Sequence, residues 1–218
     1  MARYAISDIH GCSKTFETLL RKISFSKNDT LYLLGDYIDK GPDSKGVIDY
    51  IWHLQKKGFQ VHCLMGNHED MLLENLREGY HDGESETLAS FEVEHSLDIP
   101  KPYLDWIKNL PYYFELDKYI MVHAGLNFTI ENPLEDNYAM LWARHWYNEV
   151  NKDWLSGRII VHGHTPIKDY AIKESIQFLE DLPIIDIDAG CAIRGSGYGH
   201  LCALNLDSRE VIFQKNVE

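Results

Sequence analysis

The sequence predicts a single α/β domain, because short apolar runs typical of strands alternate along its 218 residues with stretches of helical periodicity. A second observation is that polar side chains follow these runs where each run ends. Apolar residues make up 44% of the chain and charged residues 25%, which is ordinary for a globular protein with one buried core.

Several runs rich in β-branched and aromatic residues predict strands. They cover residues 4–7, 30–34, 59–65, 119–123, 158–162, 184–188, 199–206 and 210–215. The last two predict a hairpin, because Asp207 and Ser208 between them favour a turn.

Two helices are indicated in the first third of the chain. The first is predicted by apolar residues at i, i+3, i+4 and i+7, namely Phe16, Leu19, Leu20 and Ile23. The second is predicted over residues 44–57, with Asp43 as its N-cap and Gly58 as its stop. Residues 69–118 are interpreted as mostly helical, with an acidic loop around residues 79–86.

The charge balance disfavours a nucleic-acid partner, since the net charge of −13 repels polyanions. The negative net charge still allows a small phosphorylated substrate, because the positive charge of bound metal ions outweighs the overall negative field of the protein near the site. We find no signal-peptide pattern and no apolar run near the ~18 residues of a membrane span, so we expect a cytoplasmic protein without a membrane partner. The four cysteines form no C-x-x-C pair, which suits a reducing compartment.

Metal-capable side chains follow five of the predicted strands. They are Asp8, His10, Asp36, Asn67, His123 and His164. Because ligands bind beyond the carboxyl ends of strands in α/β sheets, we expect these side chains to converge. Carboxylate, imidazole and amide donors suit manganese, iron or zinc better than a thiolate site does. A central aspartate would bridge two cations about 3.5–4 Å apart.

The motifs at these strand ends resemble those of calcineurin-like metallophosphoesterases. They are D-x-H at Asp8, G-D-x-x-D at Gly35, G-N-H-E at Gly66, H-A-G at His123 and G-H-T at Gly163. They look most like the phosphoprotein phosphatase branch, with its small bacterial and phage serine/threonine phosphatases. The resemblance implies two mixed β-sheets stacked face to face and flanked by helices, in one domain over residues 1–218. It also suggests that the mostly helical segment at about 69–118 shapes the substrate site.

The resemblance implies a metal-binding role for six residues by matching position. Asp8 and His10 would hold one divalent ion, while Asn67, His123 and His164 would hold the second. Asp36 would bridge both. Manganese is the expected metal, with iron and zinc as alternatives.

Four further residues are expected to act on the substrate. His68 matches the family's general acid and Asp39 the carboxylate that orients it, while a hydroxide bridging the metals would attack phosphorus. Arg144 matches an arginine that grips phosphate in bacterial relatives. Lys40 stands where the family usually has arginine, so we expect a weaker phosphate contact there.

Each of these residues also has a structural interpretation. Asp8 and Asp36 could cap helices, and Arg144 could pair with an acid such as Glu149. His162 lies two residues before His164, and we interpret it as a structural or supporting residue rather than a ligand.

The first functional hypothesis from the resemblance is dephosphorylation of phosphoserine and phosphothreonine in proteins. The alternative is symmetrical hydrolysis of diadenosine tetraphosphate by a sister branch, or another small-molecule phosphoesterase activity. That branch usually lacks the second aspartate of G-D-x-x-D, carries G-N-H-D and is longer, so Asp39, Glu69 and the chain length favour the protein phosphatase. A catalytically dead scaffold is disfavoured, because the ligand set is complete. The expected partner is therefore a phosphorylated protein or a small phosphorylated substrate.

Overall fold

The computed structural model describes residues 1–78 and 85–218, and within them strands and helices alternate as the sequence predicts. The strands are β1 (Arg3–Ile6), β2 (Thr30–Leu33), β3 (Gln60–Cys63), β4 (Tyr113–Glu115), β5 (Tyr119–Val122), β6 (Ile159–His162), β7 (Ile184–Asp186), β8 (His200–Asn205) and β9 (Val211–Lys215). The α-helices are α1 (Ser13–Lys22), α2 (Ser44–Lys56), α3 (Asn67–Glu78), α4 (Glu86–Phe91), α5 (Lys101–Lys108), α6 (Asn137–Trp142), α7 (Lys152–Leu155) and α8 (Asp169–Ser175). The loop predicted around residues 79–86 falls mostly outside the described ranges.

The strands form two mixed sheets, and this confirms the predicted fold class. One sheet has the order β3-β2-β1-β8-β9, with β1, β2 and β3 parallel and β8 antiparallel to β1. The other has the order β4-β5-β6-β7, with β5, β6 and β7 parallel and β4 antiparallel to β5. The parallel strands of each sheet therefore end at one edge, where polar residues follow them.

Alternation along the strands sorts side chains into layers. In β1, Tyr4 and Ile6 pack with the core beneath helices α1 and α2, whereas Ala5 points to the other face. The middle layer contains Ala5 and Leu204 from the first sheet together with Met121 and Val161 from the second. Since residues of both sheets share this layer, the sheets stack face to face, and each buried aliphatic side chain contributes about 1.5–3 kcal/mol.

The predicted helix signals agree with the helices that form. Phe16, Leu19 and Leu20 are buried on α1, and the Asp43 side chain accepts a hydrogen bond from Gly46 N at 2.9 Å at the start of α2. Strand β4 lies within residues 69–118, so the prediction that this segment is mostly helical is wrong at its C-terminal end. Three residues are too few to show alternation, and the helices after residue 130 are shorter than the ~11–18 residues over which helical periodicity can be recognised. In the described part of the chain, no helix combines the length and apolar composition that a membrane crossing needs.

Candidate active site

The loops that follow β1 and β2 are bonded to each other along their backbones. Asp8 N donates to Gly35 O at 3.2 Å, and His10 N donates to Asp36 O at 2.9 Å. In the other sheet, Gly163 N donates to His123 O at 2.8 Å, which ties the loop after β6 to the end of β5. The predicted ligands are thereby brought to one edge, as expected for residues after parallel strands.

Several of these residues have left-handed backbone conformations. The φ angles are 56° at Asp8, 46° at His10, 55° at Asp36, 66° at Asp39 and 72° at His164. Such a conformation costs a non-glycine residue on the order of 1–3 kcal/mol and is typical of functional sites. The surrounding fold therefore stabilises these residues in place despite the free-energy cost of their backbone conformation.

Asp36 lies at the centre of the cluster and is almost fully buried. Its Oδ2 lies 3.3 Å from His10 Nε2, and its Oδ1 lies 3.5 Å from His123 Nε2. Burial alone would raise the pKa of Asp36, but the imidazoles of His123, His10 and His68 lower it by more, so the net shift of the pKa is downward. Asp36 is thus an ionised carboxylate with one oxygen directed to each side of the cluster.

Asn67, His123 and His164 lie together on one side of Asp36. Asn67 Oδ1 lies 2.8 Å from His123 Nε2 and 2.8 Å from His164 Nδ1. On the other side, His10 Nε2 lies 3.7 Å from Asp8 Oδ1. The structure therefore brings all six predicted metal ligands together.

Backbone carbonyls fix the orientation of two of the imidazoles. His10 Nδ1 donates to Ile38 O at 2.9 Å, and His123 Nδ1 donates to Leu34 O at 2.8 Å. These bonds leave Nε2 of each ring directed at the cluster, which is how metal-ligating histidines are usually oriented.

His162 has both ring nitrogens occupied. Nδ1 donates to Gly163 O at 2.9 Å, and Nε2 accepts from the Tyr147 hydroxyl at 2.7 Å. Burial lowers the pKa of His162 to about 4, so the ring is neutral. These contacts agree with the interpretation of His162 as a supporting residue.

The cluster fits a pair of divalent cations. Asp8 Oδ1 and His164 Nε2 are buried and have no hydrogen-bond partner among residues 1–78 and 85–218, which is rare in folded proteins unless an ion or water is bound. The ammonium of Lys40 lies 2.8 Å from His10 Nε2, so a cationic group already occupies the position that faces this ligand. Two candidate metal-binding groups share Asp36: one adds His10 and His68, and the other adds Asp8 and His123.

His68 and Asp39 form the predicted pair beside the cluster. His68 Nδ1 lies 2.7 Å from Asp39 Oδ2, and His68 Nε2 lies 3.9 Å from Asp36 Oδ2. Burial lowers the pKa of His68, but the hydrogen bond to Asp39 and the charge of Asp36 raise it by more, so the net shift is upward. His68 is therefore favoured as a proton donor.

Thr87 is a site residue that the sequence did not reveal. Its hydroxyl bonds to Asp39 Oδ1 and accepts from Asp39 N at 2.9 Å. Thr87 lies on α4, in the segment predicted to be mostly helical, and nothing in its local sequence relates it to Asp39. The contact appears only when α4 packs on α2.

Glu69 is fully buried next to the loop that carries Asp36. Its carboxylate accepts hydrogen bonds from the backbone N–H groups of Asp36 at 2.9 Å, Tyr37 at 2.8 Å, Ile38 at 3.3 Å and Gly66 at 3.0 Å. Glu69 thus holds the loop that carries Asp36.

We expect Glu69→Gln to destabilise the fold, because an amide N–H₂ would face buried N–H donors. One unsatisfied buried donor costs about 1–3 kcal/mol, and each kcal/mol lowers Tm by about 2–4 °C in a domain of this size. Thermal unfolding followed by circular dichroism measures the change. Glu74→Gln on the exposed face of the same helix is the matched control and should leave Tm unchanged. Equal Tm values for both variants would refute this role of Glu69.

Glycine is required where two loops meet most closely. A Cβ at Gly163 would lie 2.1 Å from Asp8 Oδ2 and 2.2 Å from Ser7 Oγ. The same approach lets His164 N donate to Asp8 Oδ2 at 3.0 Å. Gly163 therefore allows the two halves of the cluster to come together.

Arg144 lies at the rim of the cluster and is exposed. Its Nη1 donates to Thr165 Oγ1 at 3.3 Å, directly after His164 in the chain. Among the ion pairs of residues 1–78 and 85–218, none involves Arg144, so the alternative pairing with Glu149 is not supported. The guanidinium therefore lies beside the loop that carries His164.

Comparison with known proteins gives a family match over most of the chain. The family model described as calcineurin-like phosphoesterase matches residues 1–191.

Curated relatives share one name, "Bis(5'-nucleosyl)-tetraphosphatase, symmetrical". The protein from Nitrosomonas europaea is 35% identical over 189 residues, covering 77% of this chain and 68% of its own. The one from Nitrosospira multiformis is 28% identical and is covered over 85% of its length. The one from Chromobacterium violaceum is 39% identical over 137 residues, which are 62% of this chain. The match spans about half of that relative, 47% of its length.

Solved structures show the same fold at lower identity. A crystal structure assigned provisionally as a diadenosine tetraphosphatase superposes with a TM-score of 0.66 at 24% identity, covering 97% of this chain and 91% of that one. A serine/threonine phosphatase from Saccharomyces cerevisiae gives 0.68 at 16% identity, covering 100% and 81%. These similarities support the fold alone.

The predicted preference for phosphoserine and phosphothreonine in proteins is wrong, since the curated relatives are named as tetraphosphatases. The structure explains the error. Glu69 bonds to backbone N–H groups and Asp39 bonds to His68, so both support neighbouring residues of the cluster. Residues with these contacts do not select a substrate, and chain length is no better guide.

Proposed function

The chain belongs to the calcineurin-like phosphoesterase family, and we propose that it hydrolyses bis(5'-nucleosyl) tetraphosphates symmetrically. Water would add to one of the two central phosphorus atoms, the bond to the oxygen between them would break, and two nucleoside diphosphates would leave. The names of the curated relatives support this substrate. The observation that carries the chemistry is the convergence of six metal-capable side chains around Asp36.

In this proposal Asp8, His10 and Asp36 hold one cation, and Asp36, Asn67, His123 and His164 hold the other. When bound, the cations, for which we propose manganese, supply charge neutralisation at the phosphoryl oxygens and lower the pKa of a coordinated water. The chain contributes the fixed orientation of the imidazoles and the ionised state of Asp36.

We assign His68 the delivery of a proton to the leaving group. Its Nε2 lies beside Asp36, and Asp39 stabilises the imidazolium through Nδ1. A leaving diphosphate needs this proton less than an alkoxide does, because a terminal phosphate has a second pKa near ~6. The contribution of His68 should therefore depend on the substrate.

Arg144 and Lys40 are proposed to bind phosphoryl oxygens. We expect Arg144→Lys to lower kcat/KM for a dinucleoside tetraphosphate by about tenfold, because lysine cannot form the planar pair of hydrogen bonds. Steady-state kinetics with the metal-loaded protein measures this loss. Arg77→Lys, an exposed change on α3, is the control. If the two variants have the same kcat/KM, Arg144 does not bind the substrate.

The proposed function is tested by a substrate panel with the purified, metal-loaded chain. It compares diadenosine tetraphosphate, phosphoserine peptide, phosphothreonine peptide and cyclic AMP by kcat/KM, with products identified by chromatography. The proposal predicts that the dinucleotide is preferred by orders of magnitude and yields ADP alone. Formation of AMP with ATP, or a preference for a phosphopeptide, would contradict it.

A further inference from the structure

Two cavities adjoin the cluster and share no lining residue. The Arg144 cavity has a volume of about 400 Å³ and is lined by Arg144, Trp146, Tyr147, Asn148 and Thr165 among others. The Lys40 cavity has a volume of about 490 Å³ and is lined by Lys40, Ile193, Arg194, Tyr198 and Lys215 among others. Both volumes fall within the ~300–1,000 Å³ that is typical of small-molecule sites.

The two cavities adjoin different ligands of the cluster. The Arg144 cavity includes Ala124 and Thr165, which directly follow His123 and His164 in the chain. The Lys40 cavity is lined by Lys40, whose ammonium lies 2.8 Å from His10 Nε2. Asp36 directs Oδ1 to His123 and Oδ2 to His10, so each cavity adjoins a ligand that faces a different oxygen of the central carboxylate.

We propose that these cavities are the two nucleoside subsites of the enzyme, one for each half of a dinucleoside tetraphosphate; this rests on the proposed function. Symmetrical cleavage requires the scissile bond to lie midway between two identical nucleosides. A cluster with one cavity beside His123 and His164 and another beside His10 offers a place for each nucleoside. A phosphomonoesterase would need a site on one side only.

The side chains of the cavities suit a nucleotide. Each cavity is lined by a cationic residue, Arg144 or Lys40, and by a tyrosine, Tyr147 or Tyr198. Cations bind the phosphates of a polyphosphate chain, and aromatic side chains pack on bases. Of the described residues that line the Lys40 cavity, Lys40, Arg194 and Lys215 are basic and Glu218 is acidic, although the chain as a whole has a net charge of −13.

A buried acid is among the residues that line the Arg144 cavity. Asp186 is only 4% exposed, and its Oδ1 accepts from Asp188 N at 2.9 Å. The adjacent Trp146 is held by a hydrogen bond from its Nε1 to Ala124 O at 3.3 Å. A buried carboxyl group beside aromatic walls offers hydrogen bonds to the edge of a base, which a phosphate alone would not use.

The test compares substrates that carry zero, one or two nucleosides: inorganic tetraphosphate, adenosine 5'-tetraphosphate and diadenosine tetraphosphate. We expect kcat/KM of the metal-loaded wild type to rise with each nucleoside. Asn148→Trp, which fills the Arg144 cavity from an exposed position, and Tyr198→Ala in the Lys40 cavity should each lower kcat/KM for the dinucleotide by about tenfold relative to inorganic tetraphosphate, the loss expected for one base contact. Tyr147→Ala repeats the test on the first cavity should the tryptophan variant misfold.

Phe178→Ala, an aromatic truncation at an exposed position away from both cavities, is the matched control and should keep the wild-type ratio. If diadenosine tetraphosphate is hydrolysed well but the cavity variants also keep that ratio, the subsites are refuted while the proposed function stands. If the wild type does not hydrolyse the dinucleotide at all, the proposed function is refuted and the subsites with it.

Discussion

Asp36→Asn is expected to remove both metal ions and to abolish turnover. Asp36 is the only residue shared by the two candidate metal-binding groups among the described residues, and its two oxygens face different histidines. An amide presents one oxygen and no charge, so it cannot replace a carboxylate between two cations. Loss of a residue that merely supports a ligand already lowers metal affinity by ~10–100-fold, so a larger loss is expected here.

Metal content by mass spectrometry after dialysis and kcat for diadenosine tetraphosphate measure the effect of Asp36→Asn. Asp105→Asn, which removes a carboxylate from a surface ion pair with Lys101, is the matched control. A variant at Asp36 that retained both ions, or more than about a hundredth of the wild-type kcat, would show that the carboxylate does not link the two sites.

His68→Asn is expected to lower kcat while metal content stays close to that of the wild type. His68 Nδ1 is bonded to Asp39, and its Nε2 stands 3.9 Å from Asp36, so its place is beside the cations rather than among their predicted ligands. Removing a general acid lowers the rate by ~10²–10⁴-fold. The decrease in kcat should lie at the low end of this range for diadenosine tetraphosphate and at the high end for an alkyl phosphate, because a diphosphate leaves more readily than an alkoxide.

The comparison of two leaving groups separates proton transfer from simple structural damage. A variant that had lost its fold or its metals would be slowed equally on both substrates. Equal losses, or loss of both ions from His68→Asn, would contradict the assignment of His68 as the proton donor. His53→Asn on α2 is the control for the same exchange of side chains outside the site.

The fold could be predicted because its signals are local. The apolar stripe of α1, the cap at Asp43 and the strand-end positions of Asp8, Asp36 and His123 are all visible within a few residues. The convergence of the residues that follow the strands is predicted by one rule, that parallel strands end at the same edge of a sheet. Thr87 could not be predicted, since its contact with Asp39 spans 48 positions and depends on how α4 packs.

The substrate was predicted wrongly for a different physical reason. The sequence interpretation relies on Asp39 and Glu69 as marks of a protein phosphatase, yet Asp39 bonds to His68 and Glu69 bonds to backbone N–H groups. Specificity depends on the surfaces around the cluster, such as the Arg144 and Lys40 cavities, whose residues come from distant parts of the chain. Short motifs describe the chemistry of a site well and its surroundings poorly.

The central claim is that Asp8, His10, Asp36, Asn67, His123 and His164 together hold two cations. Anomalous diffraction at the manganese absorption edge, on crystals of the full chain grown with Mn²⁺, tests it most directly. We predict two peaks about 3.5–4 Å apart, both within coordination distance of Asp36. A single peak, or peaks that Asp36 does not contact, would contradict the claim.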